Sequence, residues 1–298
     1  MITLLRKHLT ILTYHKVVYK HFLITRFNLR NPKWVADKKN APILTDQWHD
    51  NRFKLFNDFC FESVNNQTNK NFQWLVFFDT TTPQKYRDII DSFKSRMDNF
   101  YPIYIDGMDL YLPSIKDYIS NFNEEYIITS RLDNDDCISK YYIEEVQKRF
   151  NKQHFMAIDF IDGYSLQIKP NVKIGKRIDQ YSPFISLIEK NDNPKTVWSA
   201  SHSHWKREKN VQFVRHVNLW TAVSHLENKV NGFGGYGKVN IDDYLNTFII
   251  SKNQQDYIKQ HIIPANNFEY YNFKMRLKSH FNYQYKNLKK ALGVYKYK

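Results

Sequence analysis

Short apolar runs alternate with helical patterns of apolar residues through the first half of the chain. Residues 21–25 and 72–78 are apolar runs of strand length, and the second is nearly uninterrupted, which is typical of a strand buried on both faces of a parallel sheet. Between them, residues 48–64 have the apolar spacing of a helix. The same criteria predict strands at 101–105 and 126–129 and helices after Pro83 and around 115–122. This alternation predicts βαβ units, hence an α/β fold with a mainly parallel sheet.

The second half of the chain is less regular. Residues 155–160 and 164–168 predict two strands, and Asp162-Gly163 between them predicts a tight turn. A glycine-rich segment follows at 231–237. No internal repeat and no linker divides the chain.

The composition fits a folded protein without disulfide bonds. The chain has 298 residues, of which 42% are hydrophobic and 16% aromatic, enough to form a sizeable core. Two cysteines, Cys60 and Cys137, exclude a disulfide scaffold and a Cys-rich zinc module. Charged residues interrupt the apolar positions of the first twenty residues, so we expect neither a membrane-spanning helix nor a secretory signal, and a cytoplasmic protein.

The positive charge is concentrated at the end of the chain. Lys and Arg number 44 and Asp and Glu 30, which gives a formal charge of +14. Residues 274–298 contain eight Lys or Arg and no acidic residue, and they carry a helical apolar stripe. The stripe consists of Leu277, Phe281, Tyr285, Leu288 and Leu292. Two interpretations stay open: the helix lies on an anionic membrane surface, or its stripe packs on the domain.

Three acids follow the predicted strand at 126–129. Asp133, Asp135 and Asp136 come at the carboxyl end of a parallel strand, where open α/β sheets bind ligands. Their mutual repulsion favours a neighbouring cation, and oxygen ligands of this type suit Mg²⁺ or Mn²⁺. The alternative is an acidic loop in which one Asp caps the next helix.

Four motifs in order give the chain a family resemblance. They are Phe22-Leu-Ile-Thr-Arg-Phe-Asn28, Ser63-Val-Asn-Asn-Gln-Thr68, Trp74-Leu-Val-Phe-Phe-Asp79 and Ser130-Arg-Leu-Asp-Asn-Asp-Asp136. Their order resembles the nucleotide-sugar domain of family-two-like glycosyltransferases, and above all the rhamnosyltransferase group. The resemblance covers residues 21–150 and implies a GT-A fold, which is a nucleotide-diphospho-sugar transferase, Rossmann-like sheet flanked by helices. It also implies a metal-dependent, inverting transferase.

The resemblance implies a set of metal ligands. Asp135 is the first candidate, Asp133 would face the ribose or reach the metal through water, and Asp136 is an alternate ligand or a helix cap. His216 would complete the shell of Mn²⁺ or Mg²⁺ or contact the diphosphate, with a structural role as its alternative. Such a cation stabilises the negative charge that a nucleoside diphosphate gains as it leaves.

The donor, UDP- or dTDP-linked, would contact four more residues. Asp79 would accept a hydrogen bond from the pyrimidine base and Phe27 would stack on it, while Arg26 and Arg131 would neutralise phosphate. Each has a structural alternative: a turn for Asp79, the core for Phe27 and ordinary ion pairs for the arginines. Trp198, Trp205 and Trp220 are candidates for stacking on acceptor sugars, with packing in the core as their alternative.

Inverting transfer requires a carboxylate base on the acceptor side. Asp243 or Asp242, after the glycine-rich segment, fits this role; the alternative is that both are first-turn acids of a helix. Glu227, Asp159 and Asp162 are outside candidates. The implied acceptor is a glycan or a lipid-linked intermediate of surface polysaccharide synthesis.

We therefore expect three segments. They are a basic N-terminal segment (1–20), a GT-A domain (21–265, with a nucleotide-sugar half at 21–150 and an acceptor half at 151–265) and a basic amphipathic helix (266–298). A peripheral position on the cytoplasmic face of a membrane is consistent with that helix. The competing classes are a metal-dependent phosphohydrolase or nuclease and a non-catalytic nucleic-acid-binding protein. Because the excess charge lies in the tail, we expect no nucleic-acid partner.

Overall fold

The computed structural model describes residues 18–36, 42–225 and 232–295. The predicted N-terminal segment (1–20) lies almost wholly outside these ranges, as does Glu227. The strands are β1 (Tyr19–Arg26), β2 (Gln73–Asp79), β3 (Phe100–Ile105), β4 (Tyr126–Arg131), β5 (Cys137–Ile138), β6 (Phe155–Phe160), β7 (Asp162–Gln167), β8 (Lys173–Ile178), β9 (Ser186–Lys190), β10 (Val211–Val214) and β11 (Trp220–Ser224). The α-helices are α1 (Asp46–Leu55), α2 (Glu62–Asn65), α3 (Gln84–Arg96), α4 (Tyr111–Ser120), α5 (Tyr142–Gln147), α6 (Ile241–Thr247), α7 (Lys252–His261) and α8 (Glu269–Ala291).

The main sheet has seven strands in the order β10-β6-β9-β4-β1-β2-β3. Strands β3, β2, β1 and β4 are parallel neighbours, and only β9 runs antiparallel to the strands beside it. The predicted α/β class, with a mainly parallel sheet and a C-terminal helix, is confirmed. Because β1, β2 and β4 are parallel, the residues that follow them emerge at one edge of the sheet.

Successive side chains of β2 point to opposite faces of the main sheet, and both faces are buried. Trp74, Val76 and Phe78 belong to the core on one side of the sheet. Leu75 and Phe77 belong to the core on the other side, which α4 covers. Since each face is covered, no position in the strand interior needs a polar side chain, which explains the continuous apolar run.

The helix before β2 is a single α–π–α element. It begins at Asp46, where the Thr45 side chain accepts a hydrogen bond from the Trp48 N–H at 3.3 Å. Residues Phe56–Phe61 form one π-helical segment that continues directly into α2. The predicted helix at 48–64 is confirmed, and it carries Arg52, a buried residue, towards the edge of the sheet where β4 ends.

A second sheet, in the order β5-β11-β7-β8, packs beside the first. The predicted tight turn at Asp162-Gly163 is wrong, because both residues lie in β7, which pairs with β8 and β11 and not with β6. The chain instead passes from one sheet to the other after Phe160. Gly163 is needed there because a β-carbon at this position would lie only 2.3 Å from the nearest atom of the Trp220 ring.

Gly163→Ala is therefore expected to destabilise the fold by about 1–3 kcal/mol, since the added methyl group overpacks against the ring. The matched control is Gly232→Ala, where a β-carbon meets nothing within 4 Å and a change below about 0.5 kcal/mol is expected. Urea unfolding of both variants checks the prediction. Equal stabilities would contradict the close contact with Trp220.

The orientation of helix α8 shows whether its apolar stripe packs on the domain, which the sequence left open. Phe281 is 69% exposed and Leu277 is 55% exposed, whereas Ser279, on the opposite face, is buried. The polar face of α8 packs on the domain, and the interpretation in which the stripe does so is wrong. Among the described residues, no helix is long and apolar enough to cross a membrane.

Candidate functional site

The loops after β1 and β4 meet at the carboxyl edge of the main sheet. The Asn134 side-chain amide donates to the backbone carbonyls of Arg26 and Phe27 at 3.2 and 2.9 Å. Its own carbonyl oxygen accepts from the Arg52 guanidinium at 3.0 Å. Asn134 is buried, so these hydrogen bonds fix the acidic loop against its neighbours. The acids predicted from the sequence therefore lie on a rigid part of the edge.

Asp135 is held by two basic side chains. Its Oδ2 atom lies 2.8 Å from Nη1 of Arg52 and 3.1 Å from Nε2 of His225. Burial raises the pKa of Asp135, but the Arg52 guanidinium and the His225 imidazole outweigh burial and hold that pKa below its usual range. Asp135 is therefore ionised at neutral pH.

Asp136 points into the protein. Its Oδ1 atom accepts a hydrogen bond from the backbone N–H of Val223 at 2.9 Å, which ties the acidic loop to β11. Its Oδ2 atom is buried and has no hydrogen-bond partner among the described residues. Burial, then the charges of Asp135 and Asp133, raise the pKa of Asp136 well above its usual range. Of its two predicted roles, ligand and helix cap, the structure shows neither: Asp136 connects the two sheets.

Asp133 is the most accessible of the three acids, with 34% of its side chain exposed. Its carboxylate lies 3.6 Å from Nη2 of Arg131. The Arg131 guanidinium stacks on the Trp198 ring at 3.9 Å, and the Arg26 guanidinium lies 5.9 Å from the same ring. Trp198 is fixed by a 3.3 Å hydrogen bond from its indole N–H to the carbonyl of Ile24. Two arginines thus flank one aromatic ring, and a partly exposed carboxylate lies beside one of them.

Asp79 connects three loops at the same edge. Its carboxylate accepts hydrogen bonds from the Arg30 guanidinium (2.8 Å), the Thr81 hydroxyl (2.7 Å) and the Gly107 N–H (3.2 Å). Burial raises the pKa of Asp79, but hydrogen bonds from the backbone N–H of Arg30, from Thr81 and from the Arg30 guanidinium outweigh burial and lower that pKa. Arg30 also pairs with Asp106. A base could reach the Asp79 oxygens only in place of these donors, so the predicted contact with a pyrimidine stays a prediction.

Phe27 is part of the core. It is 4% exposed, and its ring packs against Phe53, Phe56 and Phe78 at centroid distances of 4.5, 5.1 and 4.9 Å. The predicted stacking of Phe27 on a base is therefore corrected to the core alternative. Trp198, by contrast, has the guanidinium groups of both Arg131 and Arg26 beside its ring.

His216 and Asp243 line a different part of the molecule, a cavity of about 330 Å³ shared with Glu145 and Tyr164. Residues 216–219, which line this cavity, come directly before the five-residue strand β11. His225, which contacts Asp135, comes directly after that strand. At about 3.3 Å per residue this strand spans roughly 16 Å. A metal ion bound by Asp135 lies only about 2 Å from each ligand. The structure therefore groups His216 with other residues, and its place in that metal shell stays a prediction that no contact among the described residues supports.

The predicted bases are also separated from the acidic loop. Asp243 lines the cavity with His216, and Asp242 is exposed and pairs with Lys259 at 2.7 Å. The Asn240 side chain caps α6 and accepts from both of their N–H groups. Both are first-turn acids of α6, the alternative that the sequence left open, and the structure does not bring them to Asp135.

The sequence analysis missed two residues of the site, Arg52 and His225. Arg52 lies within the helical pattern at 48–64, where a basic residue would be expected to face solvent. His225 ends an apolar strand in the same way that the acids follow β4, and that position was the available signal. Neither residue stands near Asp135 in the sequence, so only the folded chain pairs them with it.

A divalent cation at this site would be bound jointly by protein carboxylates and by the phosphate oxygens of a ligand, and not by protein side chains alone. Among the described residues, no three His, Cys, Asp or Glu side chains are arranged to hold an ion. Mg²⁺ in proteins commonly takes one or two carboxylates and completes its shell with water and phosphate oxygens. The partly exposed Asp133 carboxylate and the Asp135 carboxylate, which pairs with His225, would be the ligands of that kind.

The outside candidates Asp159 and Asp162 have structural partners. Asp162 forms a bidentate ion pair with Arg215, at 2.8 and 3.2 Å. Asp159 is fully buried, and its Oδ2 atom accepts from the N–H of Tyr181 at 2.6 Å. Burial raises the pKa of Asp159 to about 7.

We expect Asp159→Asn to gain stability relative to the wild type as the pH rises from about 4 to about 7. The unfolded carboxyl releases its proton near pH 3.9, whereas the folded one keeps it until about 7. Over that window Asp159 makes the wild type less stable by about 1.4 kcal/mol per pH unit, and asparagine removes this effect. Urea unfolding of both proteins across the window checks it. A constant difference between them would contradict the buried, protonated carboxyl.

A family model described as "Putative rhamnosyl transferase" matches residues 20–232. No curated protein matches the chain. Three solved structures resemble it distantly. The S. aureus TarS fragment 1–349 in complex with UDP is 11% identical, with a TM-score of 0.40, over 80% of this chain and 69% of that one. The T. maritima inositol-1-phosphate CTP transferase is 13% identical, with a TM-score of 0.33, over 83% and 98%. HddC from Yersinia pseudotuberculosis is 10% identical, with a TM-score of 0.34, over 66% and 90%.

Proposed function

Because the chain belongs to the family described as putative rhamnosyl transferases, and is thus a glycosyltransferase, we propose that it transfers a sugar from a nucleoside-diphosphate donor bound at the edge where β1 and β4 end. Rhamnose is the first sugar to test, and UDP and dTDP are the first carriers. The acceptor is a glycan or a lipid-linked intermediate of surface polysaccharide. A lipid-linked acceptor lies at a membrane, so a peripheral position on the cytoplasmic face is part of the proposal.

One observation carries the donor site: two guanidinium groups flank one aromatic ring at the carboxyl edge of parallel strands, and a partly exposed carboxylate lies beside one of them. Arg131 and Arg26 flank Trp198, and Asp133 lies 3.6 Å from Arg131. Guanidinium groups fork onto phosphate oxygens, and this edge is where open α/β sheets bind ligands. The Trp198 ring offers an aromatic surface in the same place.

The chemistry follows from where negative charge develops. As the bond between the anomeric carbon and the diphosphate oxygen breaks, the leaving diphosphate gains negative charge, and Arg26 and Arg131 stabilise it electrostatically. A bound Mn²⁺ or Mg²⁺, held by Asp133 and the Asp135–His225 pair, would add Lewis-acid stabilisation of the same charge. Arg52 keeps Asp135 ionised and fixed in orientation.

The inverting course is proposed from the family resemblance. An acceptor hydroxyl would attack the anomeric carbon from the face opposite the diphosphate while a base removes its proton. Because Asp242 and Asp243 lie away from this edge, the proposal names neither as that base. The anomeric configuration of the product, determined by NMR, tests the course: inversion supports it and retention contradicts it.

A panel of UDP- and dTDP-sugars tests the donor, with thermal unfolding followed with and without Mn²⁺. A ligand that binds only the folded state stabilises it by about 2.7 kcal/mol at one hundred times its Kd. We expect at least one sugar nucleotide to raise the melting temperature and to be hydrolysed slowly without acceptor. If no sugar nucleotide raises the melting temperature or is turned over, the proposal fails.

A further inference from the structure

Helix α8 is attached to the domain by its polar face. Lys286 donates to the Asp179 carboxylate at 3.3 Å and to the Gln180 carbonyl at 2.9 Å. The Gln180 side chain in turn donates to Asn287 at 2.6 Å. The Arg215 guanidinium lies over the Tyr283 ring at 4.4 Å. These contacts fix the rotation of the helix about its own axis.

The opposite face of α8 is mostly apolar and is exposed along the whole helix. Its members lie three or four residues apart, as one face of a helix requires. They and their exposed fractions are Tyr270 (81%), Phe273 (63%), Leu277 (55%), Phe281 (69%), Tyr285 (46%), Leu288 (56%) and, just beyond the helix, Leu292 (68%). A contiguous apolar surface of this length on a folded protein marks an interaction site.

Apart from Glu269, its first residue, the charged residues of α8 are all positive. Lys274 lies within the face, and Lys278 and Lys289 flank it, as the helical spacing of 100° per residue requires. From Tyr270 to the end of the chain the sequence contains no Asp or Glu. The occupant of this surface must therefore be apolar inside and negatively charged around it.

We propose that α8 lies in the interface of an anionic lipid membrane, with its apolar face inserted among the acyl chains and its lysines at the lipid phosphates. An amphipathic helix of this composition binds through buried apolar area together with attraction to anionic headgroups. Its 23 residues form a rod of about 35 Å. A second copy of the chain fits less well, because its lysines would oppose like charges. The inference rests on α8 alone and holds whichever sugar the enzyme transfers.

Co-sedimentation of the full chain with vesicles tests the inference. Vesicles of phosphatidylcholine are compared with vesicles of phosphatidylcholine and phosphatidylglycerol in equal parts. We expect binding to the second kind only, and weaker binding as salt is added, because salt screens the lysines. Leu277→Ser/Phe281→Ser/Leu288→Ser keeps the charge and is expected to weaken binding by about tenfold or more.

Two matched controls separate the apolar from the electrostatic contribution. Ile89→Ser/Leu110→Ser/Tyr257→Ser alters three exposed apolar side chains elsewhere and is expected to bind like the wild type. Lys274→Gln/Lys278→Gln/Lys289→Gln is expected to lose the preference for anionic vesicles, whereas Lys54→Gln/Lys94→Gln/Lys116→Gln, on other helices, keeps it.

Three results would overturn the inference. They are a wild type that does not bind anionic vesicles, a stripe variant that binds as well as the wild type, and a wild type that is dimeric by sedimentation while the stripe variant is monomeric. The last result would make this face an interface between copies. Donor binding in the sugar-nucleotide panel is measured without lipid, so failure of the donor site and failure of the membrane surface are distinguishable.

Discussion

Asp135→Asn is expected to lower sugar transfer by about 10²–10³-fold, the usual loss when one group that stabilises developing charge is removed. Asn keeps the size of the side chain and an oxygen that can accept from Arg52, but it lacks the negative charge that a divalent cation requires. The measurement is the turnover rate of the variant relative to the wild type, with Mn²⁺ present and with the donor identified in the sugar-nucleotide panel. Circular dichroism and thermal unfolding show whether the variant is folded.

The matched control for this variant is Asp117→Asn. Asp117 is an exposed acid on α4, so the same change in charge and shape is expected to leave turnover as in the wild type. Normal turnover in a folded Asp135→Asn variant would remove Asp135 from the site. It would leave Asp133 and the two arginines to bind the donor on their own.

Arg52→Met is expected to destabilise the protein by about 3–5 kcal/mol, because it leaves the Asp135 carboxylate buried without its main counter-ion. The side chains of Arg52 and Asp135 are only 7% and 14% exposed. Methionine retains most of the apolar volume beside Trp48, on whose ring the guanidinium lies at 5.1 Å. The lost stability is therefore due more to the unpaired charge of Asp135 than to a cavity. Urea unfolding at neutral pH measures it.

Arg96→Met is the control for Arg52→Met. Arg96 pairs with Glu62 at the surface and is 41% exposed, so less than about 1 kcal/mol is expected. The double variant Arg52→Met/Asp135→Leu removes both charges and is expected to recover most of the lost stability. If the double variant is as unstable as Arg52→Met, then packing and not the ion pair accounts for the loss.

The strands and helices of the first half followed from local patterns. The uninterrupted apolar run of β2 and the proline before α3 are signals that neighbouring residues in the sequence contain. The passage from β6 to β7 could not be predicted in this way. Asp162-Gly163 has the composition of a turn, and only the Trp220 ring, far along the chain, explains why glycine stands there in a strand.

The site was predictable where its residues end strands. Asp133, Asp135 and Arg131 are found at the sheet edge because parallel strands bring their carboxyl ends together. That His216 lies with Asp243 could not be predicted, because the sequence does not show which end of β11 meets the acidic loop. Phe27 was ambiguous for a different reason: an aromatic residue after a strand can equally face the core or a ligand.

The amphipathic pattern of α8 was visible in the sequence, but its orientation was not. Periodicity shows that a helix has an apolar face and does not show whether that face packs on the domain. Here the hydrogen bonds of Lys286 and Asn287 to the domain decide the orientation. Such pairings are between residues more than 100 positions apart, which no local pattern contains.

A crystal structure of the full chain with Mn²⁺ and the nucleoside diphosphate of the donor tests the central claim most directly. The account predicts the diphosphate within hydrogen-bond distance of Arg131, and Mn²⁺ between the phosphate oxygens and the Asp133 or Asp135 carboxylate. A diphosphate bound instead in the cavity of His216 and Asp243, with Arg131 and Asp133 unchanged, would contradict it.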